Sequence, residues 1–155
     1  MYQTDLIILN FTEIRRKSIN IWEALPDTHY HWKPDETAMT ASQVIRHVLE
    51  ADYGWNIIIQ NGSMANYKTP WGNRPFISLA DELAFAEPYR KAFLERVRRF
   101  TDAELAETEV IHPGNGARKN LGQYLLRIGY HEAVHAGHFL SYLRAMNIVR
   151  PEIWD

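Results

Sequence analysis

Four histidines stand in this sequence where an aliphatic residue would be expected. His131, His135 and His138 are spaced i, i+4 and i+7, which at about 100° per residue places them within about 60° of one another on one helix face. That face also carries Leu121, Leu125, Ile128 and Tyr142, so the imidazoles are expected to turn inward. His47 sits three residues after Val44 and four before Ala51 and is expected to do the same. One inward histidine is ordinarily a core residue satisfied by a single hydrogen bond. Several together need more partners than a core supplies, and a divalent cation satisfies three at once. Neutral nitrogen ligands suit zinc, nickel, iron(II) or cobalt; three of them leave a position open for water or substrate, the arrangement of a reactive metal rather than a structural one. There is no cysteine, which removes thiolate zinc sites, iron–sulfur clusters and any nucleophilic thiol of the protein's own.

His131-Glu132-Ala133-Val134-His135 also spells H-E-x-x-H, the zinc metalloprotease signature in which the glutamate activates a water. Against that reading, the position where the longer form of the motif requires glycine holds His138, and no strand is evident to align a peptide.

The elements that must position these groups are helical. Between Asp5 and Leu25, Ile7, Phe11, Ile14, Ser18, Ile21 and Leu25 step by threes and fours. Pro26 to Met39 reads as a loop whose His29 and His31 are solvated. Thr40 with Gln43 is a capping box opening a second helix that runs to about Gln60, with Val44, His47 or Val48, Ala51, Trp55 and Ile58 as its stripe. A long aromatic loop, Gly62 to Ile77, follows; it either covers a site or is a packed crossover. Ser78 caps a third helix reaching Phe100, which Pro88 is expected to kink or split. Thr101 with Glu104 opens a short turn, and Pro113-Gly114-Asn115-Gly116 forms a loop. Asn120 with Gln123 opens the last helix, ended by Asn147. No segment shows sustained period-two alternation, so no strand is expected. Four helices and one long crossover make a single all-α domain over residues 1–155, a four-helix bundle.

Composition narrows the function further. The chain has 155 residues, with 17 Lys+Arg against 19 Asp+Glu for a formal charge of −2. This near-neutral balance lacks the basic footprint that non-specific nucleic-acid binding requires. The beginning of the chain has no basic segment followed by an apolar run, and no stretch approaches the ~20 apolar residues of a membrane span; a cytoplasmic protein with no membrane partner is expected. Five tryptophans and an aromatic loop suit a homodimer interface.

The sequence resembles the DinB/YfiT-like superfamily of four-helix-bundle metal proteins over nearly its whole length. The matching pieces are Leu25-Pro26 to Trp32-Lys33-Pro34, Thr40-Ala41-Ser42-Gln43-Val44-Ile45-Arg46-His47, and His131-Glu132-Ala133-Val134-His135-Ala136-Gly137-His138. The resemblance implies a divalent metal held by one histidine of the second helix and an H-x-x-x-H pair of the last, here His47, His131 and His135, with His138 as a neighbouring pocket group. It also implies a range of activities, among them bacillithiol- or mycothiol-dependent transfer, in which a small thiol cosubstrate is activated for attack on a small electrophile, or hydrolysis. A non-catalytic metal-binding, stress-response or dimerisation module is the alternative. Glu50 and Tyr53 near His47, and Tyr130 and Glu132 beside His131, read as ordinary surface or interface residues, and Arg90 as an arginine that snorkels to solvent.

Overall fold

The computed structural model describes residues 2–154. Five helices and one small hairpin follow in the order α1 (Gln3–Glu23), α2 (Ala41–Asn61), α3 (Leu79–Arg98), α4 (Asp102–Glu107), β1 (Glu109–Ile111), β2 (Arg118–Asn120) and α5 (Leu121–Ala145), with a 3-10 turn at Asp27–His29. The four long helices form a ring in which α1 packs on α5 and α3, and α2 on α3 and α5. Among the described residues no helix is long and apolar enough to cross a membrane.

Local chemistry sets the helix ends. Thr40 and Gln43 cap each other reciprocally at α2, as do Thr101 and Glu104 at α4, satisfying donors that the first turn leaves orphaned. Asn120 Oδ1 accepts from the Gln123 amide at 2.8 Å and opens α5. Asn147, at φ 57°, ends it: the Ile148 amide then donates back to the Leu143 carbonyl at 2.9 Å. Two expectations need correction. Pro88 does not split α3, which runs unbroken from Leu79 to Arg98 because buried Ala86 on one side and Phe93 and Val97 on the other hold it to its neighbours. The chain also contains strands, paired antiparallel with Val110 opposite Lys119. At three residues each they are too short to show a period, and only Val110 is buried.

The core falls into two apolar clusters. One gathers Trp22, Ile45, Leu49, Phe139 and Leu143; the other gathers Phe11, Ile58, Phe93, Leu121, Tyr124 and Leu125. Between them each long helix contributes one charged residue: Arg15 from α1, Asp52 from α2, Arg90 from α3 and Glu132 from α5. Arg15 donates from Nε and Nη2 to the two Glu132 oxygens at 2.7 and 3.1 Å, and from Nη1 to Asp52 at 3.1 Å. Arg90 donates to Asp52 at 2.9 Å and to the Phe11 carbonyl at 2.7 Å. Two positive and two negative charges thus close a layer across the bundle. Reading Glu132 as a surface residue and Arg90 as a snorkelling one is therefore wrong: each charge sits inside because its counter-ion does.

The crossover between α2 and α3 is anchored at its far end. The Trp71 indole donates to the fully buried Glu82 at 2.9 Å, Arg74 does so at 2.8 Å, and Arg46 pairs with the same carboxylate. Its near end, carrying Met64 and Tyr67, lies against α2. The loop is thus both a packed crossover and a wall.

Candidate metal centre

The charged layer and the histidines share one level of the bundle, since Glu132 lies between His131 and His135 in the chain. α5 separates them by direction. Leu121, Leu125, Ile128, Glu132, Phe139 and Leu143 fill the core, while His131 and His135 project beside that stripe, half-buried, toward α2. The expectation that the imidazoles point into the core is therefore corrected by roughly one residue's rotation. The same holds on α2, where Val48 takes the inward slot and His47 stands at the rim of a cleft.

The three rings converge. His131 Nε2 lies 3.2 Å from His47 Nε2 and 3.2 Å from His135 Nε2, and the three ligand atoms all lie within 4.8 Å of one another. A neutral imidazole nitrogen has one in-plane lone pair or one proton, so His131 Nε2 cannot form well-directed hydrogen bonds to both neighbours. A cation with Zn–N-type bonds of about 2.0–2.1 Å in tetrahedral geometry would separate its ligand nitrogens by about 3.4 Å, close to the two 3.2 Å separations that His131 Nε2 makes with His47 and His135. The donor set therefore fits a divalent cation at His47, His131 and His135. The rings are also in the protonation state a cation requires. Burial, reinforced by the neighbouring imidazoles, lowers the pKa values of His131 and His135 to about 4. Burial lowers His47 as well, opposed by the charge of Glu50. His135 Nδ1 is buried without a hydrogen-bond partner, so no protein acceptor orients that ring from behind.

His138 is exposed, its ring centroid 5.6 Å from that of His135, and stands outside the convergent trio. His29 bonds to its neighbour Thr28, and neither it nor His31 approaches the cluster. His112, on the hairpin, is engaged with Arg127 at 2.9 Å. Tyr130 is exposed, as expected. Tyr53 packs against the rings of Tyr67 and Tyr89.

A cavity of about 260 Å³ opens beside the cluster, with His47, His131, Glu50, Trp55, Ile58, Met64 and Tyr67 in its walls. A larger groove, about 660 Å³, lies under the C-terminal segment 147–154 and contains none of these histidines. Sequence reasoning missed two features of this region. The first is the pairing of Glu50 with the Tyr67 hydroxyl, 2.7 Å apart, which depends on how a long loop folds back. The second is the charged layer, which did leave a signal: each long helix carries a charged residue within its apolar stripe, and the four sum to zero.

The H-E-x-x-H reading fails on this geometry. Both Glu132 oxygens are occupied by Arg15, so the carboxylate is not available to take a proton from a water at the histidines.

Comparison with known proteins agrees with the architecture. The chain is 26% identical over 147 residues to the uncharacterized protein YjoA of Bacillus subtilis (strain 168), covering 94% of this chain and 92% of that protein. The crystal structure of that DinB-like protein superimposes with a TM-score of 0.70 at 22% identity, covering 96% of this chain and 97% of that one, and so shares the fold. The family model of the DinB superfamily matches residues 10–139, most of the chain, and this protein belongs to the DinB superfamily.

Proposed function

We propose that this protein binds a divalent cation through His47, His131 and His135 and uses it to activate a small thiol or a water against a small electrophile, as a metal-dependent S-transferase or hydrolase. The observation that supports this most is the convergence of three neutral imidazole nitrogens at the edge of an open cavity. A structural site would surround its ion with four protein ligands; here three donors converge beside a space, lined by His47 and His131, that is large enough for a further molecule. When bound, the cation supplies Lewis acidity that lowers the pKa of a thiol or water to near neutrality, which a chain without cysteine cannot provide by itself. The chain's own residues do the rest. The three rings fix the position of the ion, Trp55, Ile58 and Met64 line an apolar space beside it, and the Arg15 pairing keeps Glu132 out of the reaction.

Elemental analysis of untagged protein, wild type beside His131→Ala, tests the site. Near-stoichiometric metal that disappears in the variant is the expected result; no metal in either after reconstitution with zinc, nickel and manganese overturns it. A sulfur-to-metal charge-transfer band on adding a thiol to the cobalt-substituted protein then separates thiol activation from hydrolysis.

A further inference from the structure

The three buried carboxylates of the bundle all have arginine partners: Asp52 has Arg15 and Arg90, Glu132 has Arg15, and Glu82 has Arg46 and Arg74. Glu50 does not. It lies half-buried on α2, one turn beyond His47, and among the described residues no lysine or arginine pairs with it. Its one hydrogen bond is from the Tyr67 hydroxyl to Oε1 at 2.7 Å, leaving Oε2 without a protein donor. Tyr67 comes from the crossover loop, and burial together with Glu50 itself pushes its pKa well above the usual tyrosine value, so it stays protonated and remains a donor. Glu50 is thus held in a fixed orientation without being neutralised.

This carboxylate faces the same cavity as His47 and His131, and no other acid and no lysine or arginine contributes to the wall, which is otherwise Ala51, Gly54, Trp55, Ile58, Met64 and Tyr67. Arg127 does not line the cavity: it lies over the Trp55 ring at 5.3 Å, donates to His112, and its charge contributes to lowering His131. A carboxylate that lines a cavity with no lysine or arginine beside it presents its free oxygen to a cationic ligand. Aromatic walls favour a cation further, because the faces of Trp and Tyr rings carry negative potential. In the metal-free protein an anionic ligand would meet Glu50 with no positively charged lining side chain to offset it. The volume falls just below the range that holds drug-sized ligands, which limits the occupant to a metabolite-sized molecule.

We propose that this cavity selects a small ammonium-bearing molecule, with Glu50 as its counter-ion, Tyr67 as the group that holds Glu50 in position, and Trp55 as the apolar wall. This names the substrate class of the metal-dependent reaction above and rests on that reading only for where the reacting group would sit; the recognition of the ammonium group does not need the cation.

The test is calorimetric titration of three probes of one shape, benzylammonium, benzyl alcohol and benzoate, into chelator-treated and zinc-loaded protein. In the chelator-treated wild type, benzylammonium should bind about tenfold tighter than benzyl alcohol and benzoate should bind most weakly. Glu50→Gln should erase the ammonium preference while leaving alcohol binding and the melting temperature unchanged. Tyr67→Phe should keep the preference but reduce it by about threefold. Benzoate binding as well as benzylammonium, a preference that survives Glu50→Gln, or no binding of any probe overturns the proposal. The two readings fail separately: stoichiometric zinc without an ammonium preference removes this one alone, and an ammonium preference in a protein that takes up no metal removes the metal reading alone.

Discussion

Two regions at the same level of the bundle treat their polar side chains in opposite ways. On the inner side, Arg15, Asp52, Arg90 and Glu132 form a closed set in which every charge has an opposite partner within 3.1 Å. On the α2–α5 cleft side, a few ångströms of helix circumference away, His47, His131 and His135 converge on one another without a proton arrangement that satisfies all three, and Glu50 has a tyrosine but no cation. The inner set is complete within the chain and ties α1, α2, α3 and α5 in one register. The outer set is incomplete within the chain. Polar groups that a fold uses for itself are saturated by the fold, whereas polar groups gathered and left unsaturated at an opening are suited to something that enters.

The largest expected effect breaks the inner set. Arg15→Met leaves Asp52 with only Arg90 and leaves Glu132 buried with no counter-ion. Stranding a buried charge costs about 3–5 kcal/mol, and urea unfolding should show a loss of that order. A loss below about 1 kcal/mol would mean that Glu132 can reach water or take up a proton cheaply, and the inner region would then resemble the outer one.

The contrast between these regions also marks how far the sequence could be read. The four long helices, the caps at Thr40, Ser78, Thr101 and Asn120, and the all-α class follow from local rules, because capping and three–four periodicity act within one turn of chain; the turn expected after Thr101 is a fifth, six-residue helix. His131 and His135 could be placed on one face because the H-x-x-x-H spacing survives as a same-face pair in any helix, whereas their grouping with His47, and without His138, came from the resemblance to the DinB/YfiT-like superfamily. The direction of that face could not. A stripe read from hydrophobicity treats Glu132 as polar and therefore outward, yet its burial depends on Arg15, 117 residues away. Once Glu132 is placed inside, the whole of α5 rotates and carries His131 and His135 out of the core to its edge. Arg90 was misplaced for the same reason: its partners Asp52 and the Phe11 carbonyl lie on two other helices. The pairing of Glu50 with Tyr67 was invisible because a loop of this length has no periodicity to orient its side chains.

A smaller effect sharpens the comparison from the outer side. In the unfolded chain histidine titrates near its ordinary value of 6.5, whereas in the fold His131 and His135 are lowered to about 4. Between those values the unfolded chain binds more protons, so stability rises with pH across that window and is lost as pH falls through it. Metal-free wild type should therefore lose stability progressively on acidification from about pH 6.5 toward 4 and change little above it. Asp35 and Glu104, whose carboxyls are held low by their own turns, act in the same protonation sense, since the unfolded chain again binds more protons, but below their ordinary values of 3.8 and 4.5. Urea midpoints measured across the window for wild type and a His131→Gln/His135→Gln variant decide the matter: a flatter dependence in the variant assigns the slope to the cleft, and an unchanged slope assigns it to other groups.

The smallest stability effect is expected where the functional effect is greatest. His135 is half-buried, its Nδ1 has no partner, and its Nε2 faces another imidazole at 3.2 Å, so truncation removes little that the fold relies on and relieves one buried unsatisfied atom. His135→Ala should therefore change the unfolding free energy of the metal-free protein by less than about 1 kcal/mol, while metal occupancy falls sharply, because one of the three proposed ligands is gone. A loss of several kcal/mol in the metal-free state would place His135 with Arg15 and Glu132, among the groups that hold the helices together. Small cost with lost occupancy is what separates a side chain presented by the fold from one consumed by it, and unfolding and elemental analysis of the same variant read both quantities.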